Sequence, residues 1–306
     1  MELYLQMGHG MQSMAEELIG LWGGGNVIIS PVNITQDRVV GFSKKITSIG
    51  GNILFDPQMF YPKEGHVKLR AYDYWPQEDV SISTENATEE INRELLRLNK
   101  EIGSSAIILP GLEMKEDALT YGLELMNRSA AYFSSKSDLP LFATLCLYPE
   151  TIRNTSVIEV LVEKLRTIPV TGFYIIPHPS NNEYIVSDPL WMIGMLKLLS
   201  CLKLFGKKTI VGYTSHQGLV YALANVDGIA SGTYMNTRSF VPAKFKSPKD
   251  DDIKHKSTWF YLPTALCEYK AALLDVAMQR GYLDSFFMQE FYNGRKSYVK
   301  FSGYFT

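Results

Sequence analysis

Residues 209–240 read TIVGYTSHQGLVYALANVDGIASGTYMNTRSF. Thr209–Tyr213 is an apolar run that contains Gly212, and Gly228–Ser231 is a second one. Between them Gln217–Asn225 has the pattern of a compact helix, with Ser215 or His216 placed to cap it. Two strands joined by one helix form a βαβ unit, whose crossover is right-handed and whose strands are parallel. Polar residues gather just past the second strand, at Thr233, Asn236, Thr237 and Arg238.

The same unit recurs towards the N-terminus. Apolar runs at Glu2–Met7, Asn26–Ser30, Asn52–Phe55, Ala106–Leu109, Leu141–Leu147 and Gly172–Ile176 each end in a polar, Gly or Pro turn. Helical patterns follow at Ala15–Leu21, Gln36–Ile49, Asp117–Phe133, Val157–Thr167 and Leu190–Phe205. The runs are continuous rather than alternating, as strands covered on both faces require. Eight β/α units in about 250 residues predict a (β/α)8 TIM barrel. An open doubly wound sheet is the competing fold, but its GxGxxG turn after the first strand is missing, since Gly23-Gly24-Gly25 precedes a strand. Two segments stand outside the repeat: an aromatic-rich loop insertion over Met59–Asn86 after the third strand, and a region from residue 241 to 306. The latter opens with the charged stretch Lys244–Lys256, read as solvated, before helices expected at Thr264–Arg280 and Ser285–Tyr292. One domain accounts for the whole chain.

Composition sets the class. With 46% hydrophobic and 20% charged residues among 306, the chain can bury a large core. A net charge of −2 supplies no general attraction to nucleic acid or acidic membranes. Cys146, Cys201 and Cys267 are isolated in sequence, which favours reduced thiols over a disulfide framework. No signal peptide pattern opens the sequence, and Leu190–Phe205 is shorter than the about 20 residues a bilayer span needs. A soluble, cytoplasmic protein without a membrane span is expected.

Barrel sites collect at the C-terminal ends of the strands. Gln6, His9, Ser30, Asp56, Gln58, Glu150, His178, Tyr213, Ser215, His216, Asn236 and Arg238 all stand there. Asp56 follows Ile53-Leu54-Phe55 directly, where apolar surroundings raise a carboxyl pKa and suit it to act as base or nucleophile; an Asx turn before Pro57 is the alternative. His9 lies between glycines and His178 between prolines, and both are candidate acid/base groups or simple turn residues. His216 either caps its helix or takes part in the site. The helix beginning after Ser215, with Arg238, is a candidate anion clamp. Tyr72, Tyr74 and Trp75 in the insertion are candidate stacking platforms for a base, or anchors of a lid or protein interface. CxxC, HExxH, Walker and GxSxG motifs are absent, so no metal and no cofactor are expected. No lysine ends a strand, which speaks against Schiff-base chemistry.

The stretch VGYTSHQGLVYALANVDGIASGTYMNTR resembles the closing units of the tRNA-guanine transglycosylase barrels, VGxGxPExLxxAVxxGxDxFDCVxPTR. Val211-Gly212, the helix register through Leu219 and Ala222, Asp227 and Thr237-Arg238 carry the likeness. The family's nucleophilic aspartate falls at Gly232, and its Cys-x-Cys-x-x-Cys…His zinc set is missing. The resemblance implies a transglycosylase-like barrel acting on a nucleobase, nucleotide or nucleic acid, by cleavage or exchange at an N-glycosidic bond. Asp56, His178 and His9 would be the catalytic residues. Gln58, Tyr72, Tyr74, Trp75, Glu150, Ser215, His216, Asn236 and Arg238 would bind substrate. Two other functions stay open: a catalytically degenerate barrel serving as a protein- or nucleic-acid-binding subunit of an assembly, with a protein partner or a second copy, and a hydrolase of a phosphorylated metabolite.

Overall fold

In the computed structural model, which describes residues 1–76, 85–247, 259–262 and 267–282, the apolar runs become a parallel barrel. Its strands are β1 (Glu2–Gln6), β2 (Gly25–Ile29), β3 (Gly51–Phe55), β4 (Ile107–Leu109), β5 (Glu113–Met114), β6 (Leu141–Leu147), β7 (Gly172–Pro177), β8 (Lys208–Val211) and β9 (Gly228–Ser231). They lie in the order β3-β2-β1-β9-β8-β7-β6-β4, with the short β5 also pairing β6. First and last strands thus meet inside the sheet, since Glu2–Leu5 run beside Gly228–Ser231. The seam between β3 and β4 has no ladder, but the Ser105 N–H and hydroxyl both donate to the Ile53 carbonyl, at 2.9 and 3.1 Å. The result is a nearly closed eight-staved barrel. Every residue of β6 and β7 is buried, which is why these strands read as unbroken apolar runs.

Helices between the strands form the outer layer. Helix Pro189–Leu204 starts where Asp188 Oδ1 accepts from the amides of Leu190 and Trp191. It packs on Pro149–Arg153 so closely that a Cβ at Gly194 would stand 1.8 Å from the Ile152 carbonyl oxygen. Gly194→Ala is therefore expected to force the two helices apart and to cost about 2 kcal/mol, as overpacking does. Urea denaturation would measure it, and an unchanged midpoint would refute the contact. The connection His216–Ala224 is a 3₁₀ helix of 9 residues rather than an α-helix, ending at Asn225 in the left-handed region with φ 53°. The tighter winding rises about 2.0 Å per residue instead of 1.5, so few residues cover the return from β8 to β9.

The insertion after β3 folds into the barrel's own core. Tyr72 and Tyr74 pack on Phe55 with ring centroids 5.8 Å away. Their hydroxyls donate to the Ile34 and Pro57 carbonyls, each at 2.9 Å. Residues 77–84 of the insertion, the 248–256 part of the charged stretch and the helix expected at 285–292 lie outside the described residues.

The chain divides into two compact units, Met1–Lys249 and Asp250–Thr306. Residues 241–247, expected in the C-terminal extension, thereby belong to the barrel. In the second unit an antiparallel hairpin joins Trp259–Leu262 to Cys267–Lys270, and a helix follows at Ala271–Gln279. The helix expected from Thr264 thus begins later. Its predicted first turns include residues whose backbone pairs with the 259–262 strand, and such pairing outweighs local helix propensity.

Candidate active site

The C-terminal mouth of the barrel is organised by Asp56. This residue continues β3, its amide donating to the Ile29 carbonyl at 3.1 Å, and its carboxyl is fully buried. Oδ1 accepts from the Gln58 amide at 3.1 Å, and Oδ2 accepts from the Tyr213 hydroxyl at 3.0 Å and more distantly from Tyr174 at 3.4 Å. Gln58 in turn donates to Tyr213 Oη at 2.9 Å and Ser30 Oγ at 2.5 Å, and accepts from the Val32 amide. Tyr174 donates to Gln6 Oε1 at 2.8 Å, leaving Gln6 Nε2 buried without a partner. Burial pushes the Asp56 carboxyl up from 3.8 to about 6, while the Gln58 amide and the two tyrosine hydroxyls restrain the rise.

Two members of this network have left-handed backbone: Gln58 at φ 53° and Tyr213 at φ 51°. Non-glycine residues rarely hold that conformation, and bulky ones do so at a cost. Here it turns both side chains onto Asp56.

Lys244, read from sequence as the start of a solvated stretch, is instead drawn into the mouth. Its Nζ is buried and meets no hydrogen-bond acceptor. Loss of hydration lowers its pKa from 10.5 to about 8, and Asp56 is the charge that pulls the other way. Its neighbours hold it there. Phe240 and Phe245 stack at 5.3 Å across the mouth, both edge-on to Phe60 and both against Tyr213. The 245–247 backbone is clasped by the insertion through His66 N to Phe245 O, 2.9 Å, and Ser247 N to Glu64 O, 2.8 Å.

A second cluster lies on the other side of Phe240. His178 follows β7, and its ring packs 5.7 Å from that of Phe240. Nδ1 stands 3.2 Å from Glu113 Oε1, within ion-pair reach but off the line of a good hydrogen bond. The Tyr61 hydroxyl donates to the same Glu113 oxygen at 2.5 Å. Burial alone would raise the Glu113 pKa; His178, Tyr61 and Lys115 outweigh it and hold the carboxyl below its usual value.

Of the residues singled out from sequence, the structure brings Asp56 and Gln58 together and sets His178 beyond Phe240. His9, Glu150 and Asn236 are exposed and outside both clusters. Ser215 caps its own helix by accepting from the Gln217 amide at 3.2 Å. Arg238 spends its Nε on the Gly232 carbonyl at 2.6 Å, and His216 is lowered in pKa by burial and by the charge of Arg238. A narrow cleft of about 30 Å³ beside them is lined by Ser215, Gln217, Arg238 and Tyr213. Tyr72, Tyr74 and Trp75 are 2%, 2% and 9% exposed, so their rings face the core rather than a base, correcting the stacking expectation. Among the described residues no three His, Cys, Asp or Glu side chains gather as a metal set. None of the described helices is long and apolar enough to cross a membrane.

The position taken by the nucleophile in the transglycosylase pattern can hold no side chain. A Cβ at Gly232 would lie 2.3 Å from the Gln6 carbonyl and 2.5 Å from Thr237 Oγ1. No protein-family model matches the chain, and no curated protein does. Among solved structures the chain is similar to an N-acetylneuraminate lyase from Mycoplasma synoviae, at 12% identity and TM-score 0.43 over 76% of this chain and 70% of that one. It is similar also to an HpcH/HpaI aldolase from Desulfitobacterium hafniense, at 9% and 0.43 over 76% and 86%. A GH18 chitinase from Pseudoalteromonas aurantia gives 9% and 0.47 over 77% and 95%. With no room for the family's aspartate at Gly232 and no family model matching, the transglycosylase resemblance and the N-glycosidic reaction drawn from it are both overturned. Likenesses this distant assign no activity, and the barrel rests on its own strand order.

Sequence reasoning missed Lys244, Glu113, Tyr174 and Tyr61. Lys244 alone left a signal, the apolar flanks of FVPAKF, which charge counting over 244–256 obscured.

Proposed function

We propose that this barrel is a lyase-type enzyme that acts on a small carbonyl compound through the amine of Lys244. The observation that carries the reading is the buried, unbonded Nζ, with its pKa brought down to about 8, under the influence of a buried carboxyl at about 6. A desolvated lysine is the amine nucleophile that proteins use on carbonyl carbons, and a raised carboxyl is a proton carrier near neutral pH. In the proposed reaction the Nζ lone pair attacks the carbonyl carbon and the oxygen takes up protons and leaves as water, giving an iminium ion. That ion then accepts the electron pair of an adjacent C–H or C–C bond. Asp56 receives the proton released, with Tyr213 donating to its Oδ2.

Reductive trapping tests this. The protein would be incubated with pyruvate, glyoxylate or glycolaldehyde in the presence of borohydride, and the modified lysine located by peptide mass. The expected result is one adduct, at Lys244, forming faster as pH rises through about 8. Adducts spread over more accessible lysines such as the partly exposed Lys246, with none preferred at Lys244, would refute the proposal.

A further inference from the structure

At the opposite, N-terminal end the barrel is not filled. Interiors of such barrels are packed layers of side chains, and this face normally serves stability. Here a cavity of about 450 Å³ opens between the strand starts, within the size range of small-molecule sites. Ala106 lines the cavity just before β4, and in β9 Gly228 leaves place for the Tyr4 ring, whose Cε2 lies 2.5 Å from where a Cβ would be. Tyr4, Leu54, Phe142 and Ile210 form an apolar wall from four different strands.

The rim is charged, and its charges are unequally committed. Asp227 is satisfied by Lys203 Nζ at 2.6 Å and the Thr209 amide at 2.7 Å. Glu2 accepts from Asn26 at 3.1 Å, and Asn26 accepts in turn from Asn52 at 3.1 Å, an amide chain that steadies the carboxylate without neutralising it. Glu2 has no cationic partner among the described residues, and Lys208 no acidic one. Glu2 pairs with Gly228 in register, and Ile210 pairs with the same Gly228 from the other side, so Glu2 and Lys208 stand on strands either side of β9. The Tyr4 hydroxyl makes no hydrogen bond to a described residue. Burial, with the charges of Glu2 and Asp227, lifts its pKa to about 12, so it remains a donor.

The Glu2 carboxylate and the Lys208 ammonium, on the rim of a cavity with one apolar wall, match a ligand with the opposite two charges and an apolar body. We propose that the N-terminal mouth binds a small zwitterion of this kind, an apolar or aromatic α-amino acid. Its ammonium faces Glu2, its carboxylate faces Lys208 and the Tyr4 hydroxyl, and its side chain lies against Tyr4 and Phe142. The site is separate from Asp56 and Lys244, at the other end of the strands, and its occupancy does not depend on their chemistry.

Calorimetric titration of the full chain with L-leucine, L-phenylalanine and L-tryptophan would test this, with phenylacetate and phenethylamine as singly charged controls. At least one amino acid is expected to saturate the protein, and each control to bind about tenfold weaker or worse, the worth of one charged contact. Lys208→Met should remove the preference over phenethylamine, and Glu2→Gln the preference over phenylacetate. Both residues are exposed, so their replacement leaves the fold intact. Lys244→Met should change nothing here. No saturation by any of the three at millimolar concentration, equal binding of a singly charged control, or loss of binding in Lys244→Met instead of the rim variants would each overturn the site.

Discussion

Asp56→Asn is expected to stabilise the protein by about 2 kcal/mol at pH 8 while halting turnover. In the folded chain the carboxyl titrates near 6 rather than 3.8. Between those values the folded state holds a proton that the unfolded state has lost, so stability falls as pH rises through the window and stays lowered above it. The difference amounts to about 3 kcal/mol. Asparagine carries no charge to bury, and its Oδ1 still accepts from the Gln58 amide. One tyrosine hydroxyl loses its acceptor, which takes back about 1 kcal/mol. Urea denaturation from pH 4 to 8 would show wild-type stability declining through this window and the variant nearly flat. An equal decline in both would place the titrating group elsewhere. Because Asp56 also supports the charge of Lys244, the same change should move the pH dependence of reductive trapping below about 8.

Most of the barrel was legible because its signal is local. A strand buried on both faces must be apolar throughout, and Leu141–Leu147 and Gly228–Ser231 fall where the sequence places them. The site was legible only where chemistry directly follows a strand, as at Asp56 and His178. Tyr174 lies within β7, and nothing in GFYIIP tells an inward tyrosine that meets Asp56 from an ordinary core residue. Lys244 depends on a segment folding back over the mouth, which is a tertiary event.

The transglycosylase likeness has a physical origin as well. Gly212 is required because a Cβ there would stand 2.6 Å from the Tyr174 hydroxyl. Asp227 ties the start of β8 to Lys203, and Arg238 holds the Gly232 carbonyl. The shared pattern therefore records how a β/α unit closes against its neighbours, and such packing does not specify a reaction.

Lys244→Met tests the other half of the pair and has the larger expected effect. Methionine follows nearly the same path through the cavity as the lysine stem and brings no amine to desolvate. In the folded protein Lys244 titrates near 8 instead of 10.5. Between these values the unfolded chain binds the proton that the folded chain has released, so wild-type stability rises with pH across the window. Below about 8 the folded state carries the full penalty, about 3 kcal/mol. The methionine variant should be more stable than wild type by about that amount at pH 7, and the advantage should vanish as the pH approaches 10.5. Reductive trapping should be lost at every pH. Lys246→Met is the matched control: that side chain is partly exposed and paired with Glu64 at 2.9 Å, so its loss should cost no more than about 1 kcal/mol and leave trapping intact. A methionine variant less stable than wild type at pH 7 would mean that the buried amine has a partner worth more than its desolvation. Lys244 would then be a structural contact and not a nucleophile held in readiness.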